Sequence, residues 1–385
     1  MPHTLRGAAA IVGAGLAGCG DAPGFGHLEL LAQAAHAALA DAGLCLRDVD
    51  GLFTATLTDF MPALTVAEYL GLRPAVVDGT NVGGASFLQH AISAAMALRL
   101  GLCKVALICY GSNQRSTARR LITLSQSDPP PYEAPYKPRY PVVAYALAAS
   151  RHMHLYGTTP EQLAEVAVAA RRWARLNPMA YVRTPLTISE VRDSRMVCDP
   201  LTVRDCCLVT DGAGAIVMVA ADRARDAPKP AAYFLGGAHA TWHRQVSSMP
   251  DITATAAQES GARALAMAGL SPAQVDQAQL YDAFTINPIL FLEDLGFCQK
   301  GEGGPFVEGG RIAPGGALPV NTNGGGLSFC HPGMYGIFTL IEAAIQIRGE
   351  GGDRQVDGTD VVLCHGNGGT FSSQATVLLG SAATL

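Results

Sequence analysis

The chain has little charge, few aromatic side chains and no long apolar run. Only 15% of its 385 residues are charged, the net charge is −5, and no run of Lys or Arg occurs, which argues against a nucleic-acid partner. The ten cysteines include no C-x-x-C pair, so we expect no metal site and no disulfide framework. No stretch of 18 apolar residues is present, and we therefore expect no membrane-spanning helix.

What the chain does have is apolar residues (49%) and 43 glycines. This composition fits an α/β enzyme in which helices cover both faces of a sheet. The first six residues lead directly into an apolar strand without the layout of a signal peptide, so a cytoplasmic location is expected.

The sequence carries an internal repeat at an offset of 226 residues. Ala42-Gly43-Leu44, followed by Asp50, matches Ala268-Gly269-Leu270, followed by Asp276. The spacing from Leu to Asp is six residues in both copies. Repetition of this kind indicates duplication of one domain.

Each copy then reaches a glycine-rich corner that runs into an apolar helix, at 81–86 in the first and 321–328 in the second. We predict an N-terminal half at 1–227 and a C-terminal half at 228–385, with a polar, proline-rich excursion at 112–141. The interface between two such halves is a natural place for an active site.

Strand-length and helix-length patterns alternate along both halves. Strands are predicted at 8–12, 51–56, 105–109, 215–219, 279–281 and 361–364, and helices at 28–42, 87–100, 142–155, 160–177, 254–268, 287–295 and 335–348. This alternation predicts layered α/β halves with mostly parallel sheets.

Gly13-Ala14-Gly15-Leu16-Ala17-Gly18 has the spacing of the dinucleotide fingerprint. That fingerprint needs a helix to begin at the turn, so that backbone N–H groups meet the pyrophosphate. Residues 19–26 are too rich in glycine and proline for such a helix. The pattern therefore predicts a glycine-rich loop and no dinucleotide cofactor.

The second corner is more informative. Asn321-Thr322-Asn323-Gly324-Gly325-Gly326 leads into Ser328-Phe329-Cys330-His331-Pro332-Gly333. Several glycines allow the backbone to approach a ligand closely, and His331 is held just before the next helix start. A buried histidine that only bonded backbone groups of the core would not need several glycines nearby, so we interpret His331 as functional.

With these motifs the chain resembles the thiolase superfamily, and within it the sterol-carrier and lipid-transfer branch. Tyr281-Asp282-Ala283-Phe284 stands at the place of that branch's His-Asp-Cys-Phe loop, and Cys364-His365-Gly366 lies where thiolases carry a Cys-x-Gly loop. The resemblance implies two βαβαβαββ halves in a five-layer αβαβα arrangement, in homodimers. It also implies acyl-CoA thioesters as substrates, with no other cofactor.

The departures from the thiolase pattern bear on the chemistry. A thiolase attacks with a Cys at the tip of the first corner, where this chain has Gly84. Glycine cannot form an acyl-enzyme. The nearest hydroxyl belongs to Ser86, for which we expect the structural role of a helix N-cap. The His and Cys of the branch's loop are replaced by Tyr281 and Ala283, and Tyr335 has entered the other loop.

Steroid side-chain aldolases of the same branch resemble this chain in lacking the Cys and carrying both tyrosines. The resemblance therefore implies retro-aldol cleavage of a 3-hydroxyacyl-CoA, with Tyr281 and Tyr335 transferring protons and His331 polarising the thioester. Which tyrosine is the acid stays open. Candidate substrate-binding residues are Gly84, Ser86, Asn321, Gly368 and Gly369, and candidate further acid/base residues are Cys330, Cys364 and His365.

Two alternatives remain. One is an acyltransferase that uses Cys330 or Cys364 in place of the missing nucleophile, and the other is a thiolase-like subunit that binds acyl-CoA without catalysis. The resemblance also implies a zinc-ribbon and OB-fold accessory protein as a partner.

Overall fold

The computed structural model describes residues 5–117 and 131–385. Residues 118–130, within the predicted excursion, lie outside the described part. The strands are β1 (Ala9–Gly20), β2 (Gly51–Thr54), β3 (Val76–Asp78), β4 (Val105–Ser112), β5 (Met196–Cys198), β6 (Leu201–Thr202), β7 (Asp211–Ala220), β8 (Ala232–Thr241), β9 (Gln277–Leu280), β10 (Val361–Gly368) and β11 (Ser373–Gly380).

The helices alternate with these strands, as the sequence patterns predict. In the described residues they are α1 (His27–Asp41), α2 (Pro62–Leu70), α3 (Ser86–Arg99), α4 (Val142–Tyr156), α5 (Pro160–Leu176), α6 (Ile188–Arg192), α7 (Ala257–Ala268), α8 (Ile286–Asp294), α9 (Gly303–Val307) and α10 (Gly336–Ile347). A π-helical turn occupies Gly325–Phe329 in the second glycine corner.

Nine strands of the described residues form one continuous sheet, in the order β3-β2-β4-β7-β1-β8-β11-β10-β9. The two halves of the sheet join where β1 pairs with β8, at Ala10↔Tyr233 and Ile11↔Ala232. The sheet is mixed rather than mostly parallel. The strand pairs at the two ends of the sheet are parallel. Strands β7 and β11, which are the last strands of the two halves, run antiparallel to their neighbours.

Helices cover both halves of the sheet. The central pair, α3 and α10, contacts strands of both halves, while α1 packs on β1, β4 and β7, and α7 packs on β8 and β11. Because α3 and α10 contact both halves of the continuous sheet, while α1 and α7 each pack on one half, the two halves form two separate sheet layers. The layers therefore run helix, sheet, helix, sheet, helix, and the predicted five-layer α/β class is confirmed.

The first half follows the order β1-α1-β2-α2-β3-α3-β4 and closes with β7. In the second half, an isolated bridge between Ala278 and Val320 stands where the third strand of the repeat would lie. The predicted division at 227/228 falls between a 3₁₀ turn at Arg223–Asp226 and the start of β8. The division into two duplicated halves stays a prediction.

The motif at 13–18 lies in strand β1, not in a loop. It pairs with β7 from Gly13↔Val217 to Ala17↔Ala213, and no helix starts there. A Cβ on Gly13 would overlap the carbonyl oxygen of Ala38, and one on Gly15 would overlap that of Ala34. These two glycines are needed because α1 crosses β1 at close range.

Among residues 5–117 and 131–385, no helix is long and apolar enough to cross a membrane. The same residues contain no group of three or more His, Cys, Asp or Glu side chains placed to hold a metal ion.

We predict that Gly15→Ala destabilises the protein by about 1–3 kcal/mol, because the added methyl group forces α1 away from β1. The measurement is the free energy of unfolding from urea titration. Gly79→Ala is the matched control, since a Cβ there meets Ala63 at 3.4 Å and Pro62 at 3.8 Å, which are ordinary contact distances. Equal stability of the two variants would contradict the packing argument.

Candidate active site

The first glycine corner meets the end of β10 from the other half. A Cβ on Gly83 would lie 2.6 Å from the backbone nitrogen of Gly369, and one on Gly368 would overlap the carbonyl oxygen of Val82. Side chains at these positions would separate the loops. Glycine therefore allows two backbones to approach within van der Waals distance, as the sequence pattern indicates.

Gly84, at the tip of this corner, packs against an aromatic ring. A Cβ on Gly84 would overlap Cε2 of Tyr281, and it would lie 2.6 Å from Cζ of the same ring and 2.7 Å from the carbonyl oxygen of Asn367. The room beside Gly84 is thus filled by Tyr281. Gly84 contributes space for this ring rather than open space for a ligand.

Tyr281, His331 and Tyr335 come together beside Gly84, as predicted from their loops. The Tyr281 ring stands edge-on to both others, with centroids 5.6 Å from His331 and 5.7 Å from Tyr335. The rings of His331 and Tyr335 are nearly parallel, 6.3 Å apart. All three side chains are buried.

Tyr281 and His331 form a hydrogen-bonded pair, with 3.1 Å between the hydroxyl oxygen and Nε2. The backbone N–H of Tyr335 donates to the same hydroxyl oxygen at 3.3 Å. Burial lowers the pKa of His331 to about 4, so the imidazole is neutral near pH 7. We assign the Tyr281 proton to the bond with Nε2, because burial raises the pKa of Tyr281 well above its ordinary value.

The Tyr335 hydroxyl is held by the second corner. It donates to Oδ1 of Asn323 at 2.9 Å, and the same oxygen accepts the backbone N–H of Gly325 at 2.8 Å. Burial raises the pKa of Tyr335 well above its ordinary value. Asn323 is a site residue that we missed, although it stands in the Asn-Thr-Asn motif.

Asp282 forms its hydrogen bonds with the second corner and not with a tyrosine hydroxyl, although its charge helps to raise the pKa of Tyr335. Its carboxylate accepts the backbone N–H groups of Gly326 at 2.6 Å and Leu327 at 3.3 Å. Burial raises the pKa of Asp282 to about 7, and these bonds and one from Asn321 oppose that effect. Asn321 also accepts the N–H of Leu280 at 2.6 Å, so it secures the end of β9 instead of facing a ligand.

Ser86 is occupied within its own corner. Its hydroxyl accepts the backbone N–H of Val82 at 2.9 Å and donates to the carbonyl oxygen of Gly83 at 2.6 Å. Both bonds hold the tight turn that places Gly84.

The candidate residues Cys330, Cys364 and His365 are buried, and among the described residues none of the three forms a hydrogen bond with Tyr281 or Tyr335. The Cys364 thiol lies 3.4 Å from the carbonyl oxygen of Thr339. Burial raises the pKa of both thiols, which disfavours a thiolate. His365 bonds Thr376 through Nδ1 and Gln374 through Nε2, both at 2.9 Å, and has no free nitrogen for a ligand.

A cavity of about 510 Å³ opens on the outer side of α4. It is lined by Arg151 and Leu155 of that helix and by the segment 246–252. This segment follows His243 and Arg244 in the chain. The backbone oxygen of Arg244 accepts the hydroxyl of Ser372, and Nε2 of His243 bonds the carbonyl oxygen of Thr370. The cavity is therefore linked to the loop that follows Gly369.

The burial of three histidines predicts a pH dependence of stability. Burial lowers the pKa of His90, His331 and His365 to about 4, against about 6.5 in the unfolded chain. Because the unfolded state then binds more protons, stability is full above pH 6.5 and falls as the pH drops from 6.5 towards 4. At pH 5 each of these histidines lowers the free energy of unfolding by about 2 kcal/mol relative to its value above pH 6.5.

Urea titrations between pH 7.5 and pH 5 measure this effect. His365→Gln should reduce the pH slope, whereas His36→Gln, at an exposed position, should leave it unchanged. A flat stability profile for the unmodified protein would contradict the prediction.

Comparison with known proteins places this geometry in a family. The profile of the family described as "Thiolase C-terminal domain-like" matches residues 238–381. A steroid side-chain-cleaving aldolase from Thermomonospora curvata is 34% identical, over 94% of this chain and 96% of its own. An acetyl-CoA acetyltransferase from Methanothermobacter thermautotrophicus is also 34% identical, over 90% of this chain and 92% of its own.

A solved structure described as the Ltp2-ChsH2(DUF35) aldolase superposes with a TM-score of 0.88 and 33% identity, covering 98% of each chain. The relatives match nearly the whole chain, and the solved structure superposes over nearly its whole length. This protein therefore belongs to the thiolase superfamily, in the branch that contains the steroid side-chain-cleaving aldolases.

Proposed function

We propose that this protein is an acyl-CoA aldolase, which cleaves the bond between C2 and C3 of a 3-hydroxyacyl-CoA by retro-aldol chemistry. One observation carries the proposal. The ring of Tyr281 fills the position beside Gly84 where a thiolase has its nucleophile, and its hydroxyl is bonded to His331. The aldolase relatives support the same reaction.

The first step is removal of the proton from the 3-hydroxyl. Tyrosinate is disfavoured because burial raises the pKa of Tyr281. Instead, Tyr281 takes the substrate proton as it passes its own proton to Nε2 of His331, which is neutral and 3.1 Å away. The pair thus acts as one base. In this arrangement His331 serves Tyr281, rather than polarising the thioester as the resemblance implies.

As the 3-oxygen becomes a carbonyl, the electrons of the C2–C3 bond move into the thioester to form an enolate. We assign stabilisation of the enolate oxygen to the backbone N–H groups of Gly84 and Gly369, since the loops that carry these residues are in contact. Tyr335 then donates its proton to C2. One proton leaves the 3-hydroxyl and one enters C2, and once the products leave, His331 releases its extra proton to solvent and Tyr335 regains one from solvent.

The substrate is placed with the acyl group at the tyrosines and CoA towards the outer cavity. Arg151 is the cation that we assign to the CoA phosphates, although Asp251, whose pKa it helps to lower, lines the same cavity. The acyl group that we favour is bulky, a steroid side chain or a related ring system, since one aldolase relative is named for that substrate.

A homodimer and an accessory zinc-ribbon and OB-fold protein are the partners that we propose, in the cytoplasm. Strand β3 is one of the two edge strands of the described sheet, and Val77 on it is exposed, which suits pairing with a second copy. The structural relative is described as a complex with ChsH2(DUF35), which supports an accessory subunit.

An acyltransferase is the second candidate, because one relative carries that name. It would need a thiolate, and burial raises the pKa of Cys330 and Cys364. A subunit that binds acyl-CoA without catalysis would show tight binding and no turnover, alone or with a partner.

Removal of either site hydroxyl should abolish most of the activity. Tyr281→Phe and Tyr335→Phe keep the rings but remove a proton-transfer group, and we expect each to lower kcat about 100-fold or more. The assay follows release of the shorter acyl-CoA from a 3-hydroxyacyl-CoA, with any accessory protein present. Melting temperature and binding of CoA esters should change little.

Tyr233→Phe is the control, because this buried ring lies on β8 away from the two corners. Wild-type kcat in both site variants would reject the assignment of Tyr281 and Tyr335. Absence of turnover by the wild-type protein would reject the aldolase itself.

The cysteines should be dispensable, and a new cysteine at the corner should not restore a thiolase. Cys330→Ala and Cys364→Ser should retain kcat, because the proposed route has no thiolate step. Gly84→Cys should lose cleavage, because its side chain displaces the Tyr281 ring. Mass spectrometry after incubation with acetyl-CoA would reveal an acyl-enzyme, and its formation in the wild type would favour the acyltransferase.

A further inference from the structure

A third tyrosine, Tyr145 of α4, lies buried against the loop that carries Tyr281. Its ring stacks on Phe284 at 4.4 Å between centroids and contacts Phe371 at 4.5 Å. It lies close enough to Tyr281 to act on it electrostatically. The proposed mechanism leaves this hydroxyl unused.

A chain of hydrogen bonds fixes the direction of the Tyr145 hydroxyl. Nε2 of His365 donates to Oε1 of Gln374 at 2.9 Å, because a carboxamide oxygen only accepts, and Nδ1 then accepts from Thr376. Nε2 of Gln374 donates to Oδ1 of Asn367 at 2.8 Å. Nδ2 of Asn367 therefore faces Tyr145 and donates to its oxygen at 2.8 Å. The tyrosine is held as an acceptor on that side, and its own proton points elsewhere.

The proton of the Tyr145 hydroxyl has only a weak hydrogen-bond acceptor among the described residues. Its acceptor in the described residues is the carbonyl oxygen of Gly369, at the long distance of 3.4 Å. The amide of Asn287, at the start of α8, lies beside the same hydroxyl, and its contact opposes the burial that raises the pKa of Tyr145 to about 12. Asn287 is fully buried, and apart from this contact with Tyr145 neither its oxygen nor its nitrogen has a hydrogen-bond partner in the part of the chain that the structure describes.

We propose that Tyr145 and Asn287 form a subsite that binds the 3-hydroxyl of the substrate, an inference that rests on the proposed aldolase function. A buried amide without partners costs free energy unless a ligand satisfies it. Tyr145 offers a donor, and Asn287 offers both a donor and an acceptor. Because the 3-hydroxyl gives its proton to Tyr281, its oxygen accepts from Tyr145 and from the Asn287 amide, and both donors stay bonded as that oxygen becomes the product carbonyl.

The subsite predicts a preference for hydroxylated ligands that depends on Tyr145. Binding of 3-hydroxyoctanoyl-CoA and octanoyl-CoA is measured by calorimetry in a Tyr335→Phe background, so that neither ligand is consumed. Adding Tyr145→Phe should weaken binding of 3-hydroxyoctanoyl-CoA about five- to tenfold and leave octanoyl-CoA unchanged. Tyr156→Phe, on the same helix with its ring against His152, is the control and should affect neither ligand.

Equal weakening for both ligands, or no weakening for either, would overturn the subsite. Cleavage by the protein with Tyr335 intact tests the aldolase separately, so the two failures can be told apart.

A second variant avoids the loss of packing contacts. Asn367→Asp keeps the size of the side chain but replaces the donor towards Tyr145 with an acceptor, which captures the tyrosine proton. It should reduce the preference for 3-hydroxyoctanoyl-CoA as Tyr145→Phe does. An unchanged preference in this variant would show that the orientation of Tyr145 does not select the hydroxyl.

Discussion

The ring of Tyr281 packs on the bare α-carbon of Gly84, and the rest of the site depends on this contact. No side chain fits at position 84 while the ring is there, so a thiolase nucleophile and this tyrosine exclude each other. The ring reaches Gly84 only because the loops of the two halves approach through Gly83, Gly368 and Gly369. The absence of a cysteine at position 84 and the presence of the Tyr281 ring beside it therefore have the same steric cause, because only one of the two side chains fits there.

Burial then sets the chemistry of the groups that surround this contact. It keeps His331 neutral and able to accept a proton, and it disfavours tyrosinate at Tyr281 and Tyr335. The same burial makes the thiols of Cys330 and Cys364 poor nucleophiles. In such surroundings proton transfer has to pass between directly bonded groups, because separate charges are costly. The hydrogen bond between Tyr281 and His331 meets that requirement.

Much of the fold could be predicted from the patterns of the chain. The positions of seven helices and six strands, the two glycine corners and the convergence of residues 281, 331 and 335 follow from periodicity, from glycine content and from the resemblance of the loops. The patterns did not predict α2, α6, α9 or the strands β3, β5, β6, β8 and β11. Strand β1 could not be predicted at its full length, because Gly13–Gly18 looks like a loop until α1 is known to cross it. The direction of Asp282 was equally hidden, since it depends on where the second corner places its N–H groups.

The sequence by itself determined which chemistry is missing at position 84 and which side chains replace it. A cysteine cannot act where none is encoded, whatever the fold. Only the tertiary structure decided how those side chains pair. The bond from Tyr281 to His331, the hold of Asn323 on Tyr335 and the orientation of Tyr145 by Asn367 join residues from 12 to more than 200 positions apart. Such contacts depend on the packing of whole layers, because local sequence sets backbone conformation but not which distant side chains meet.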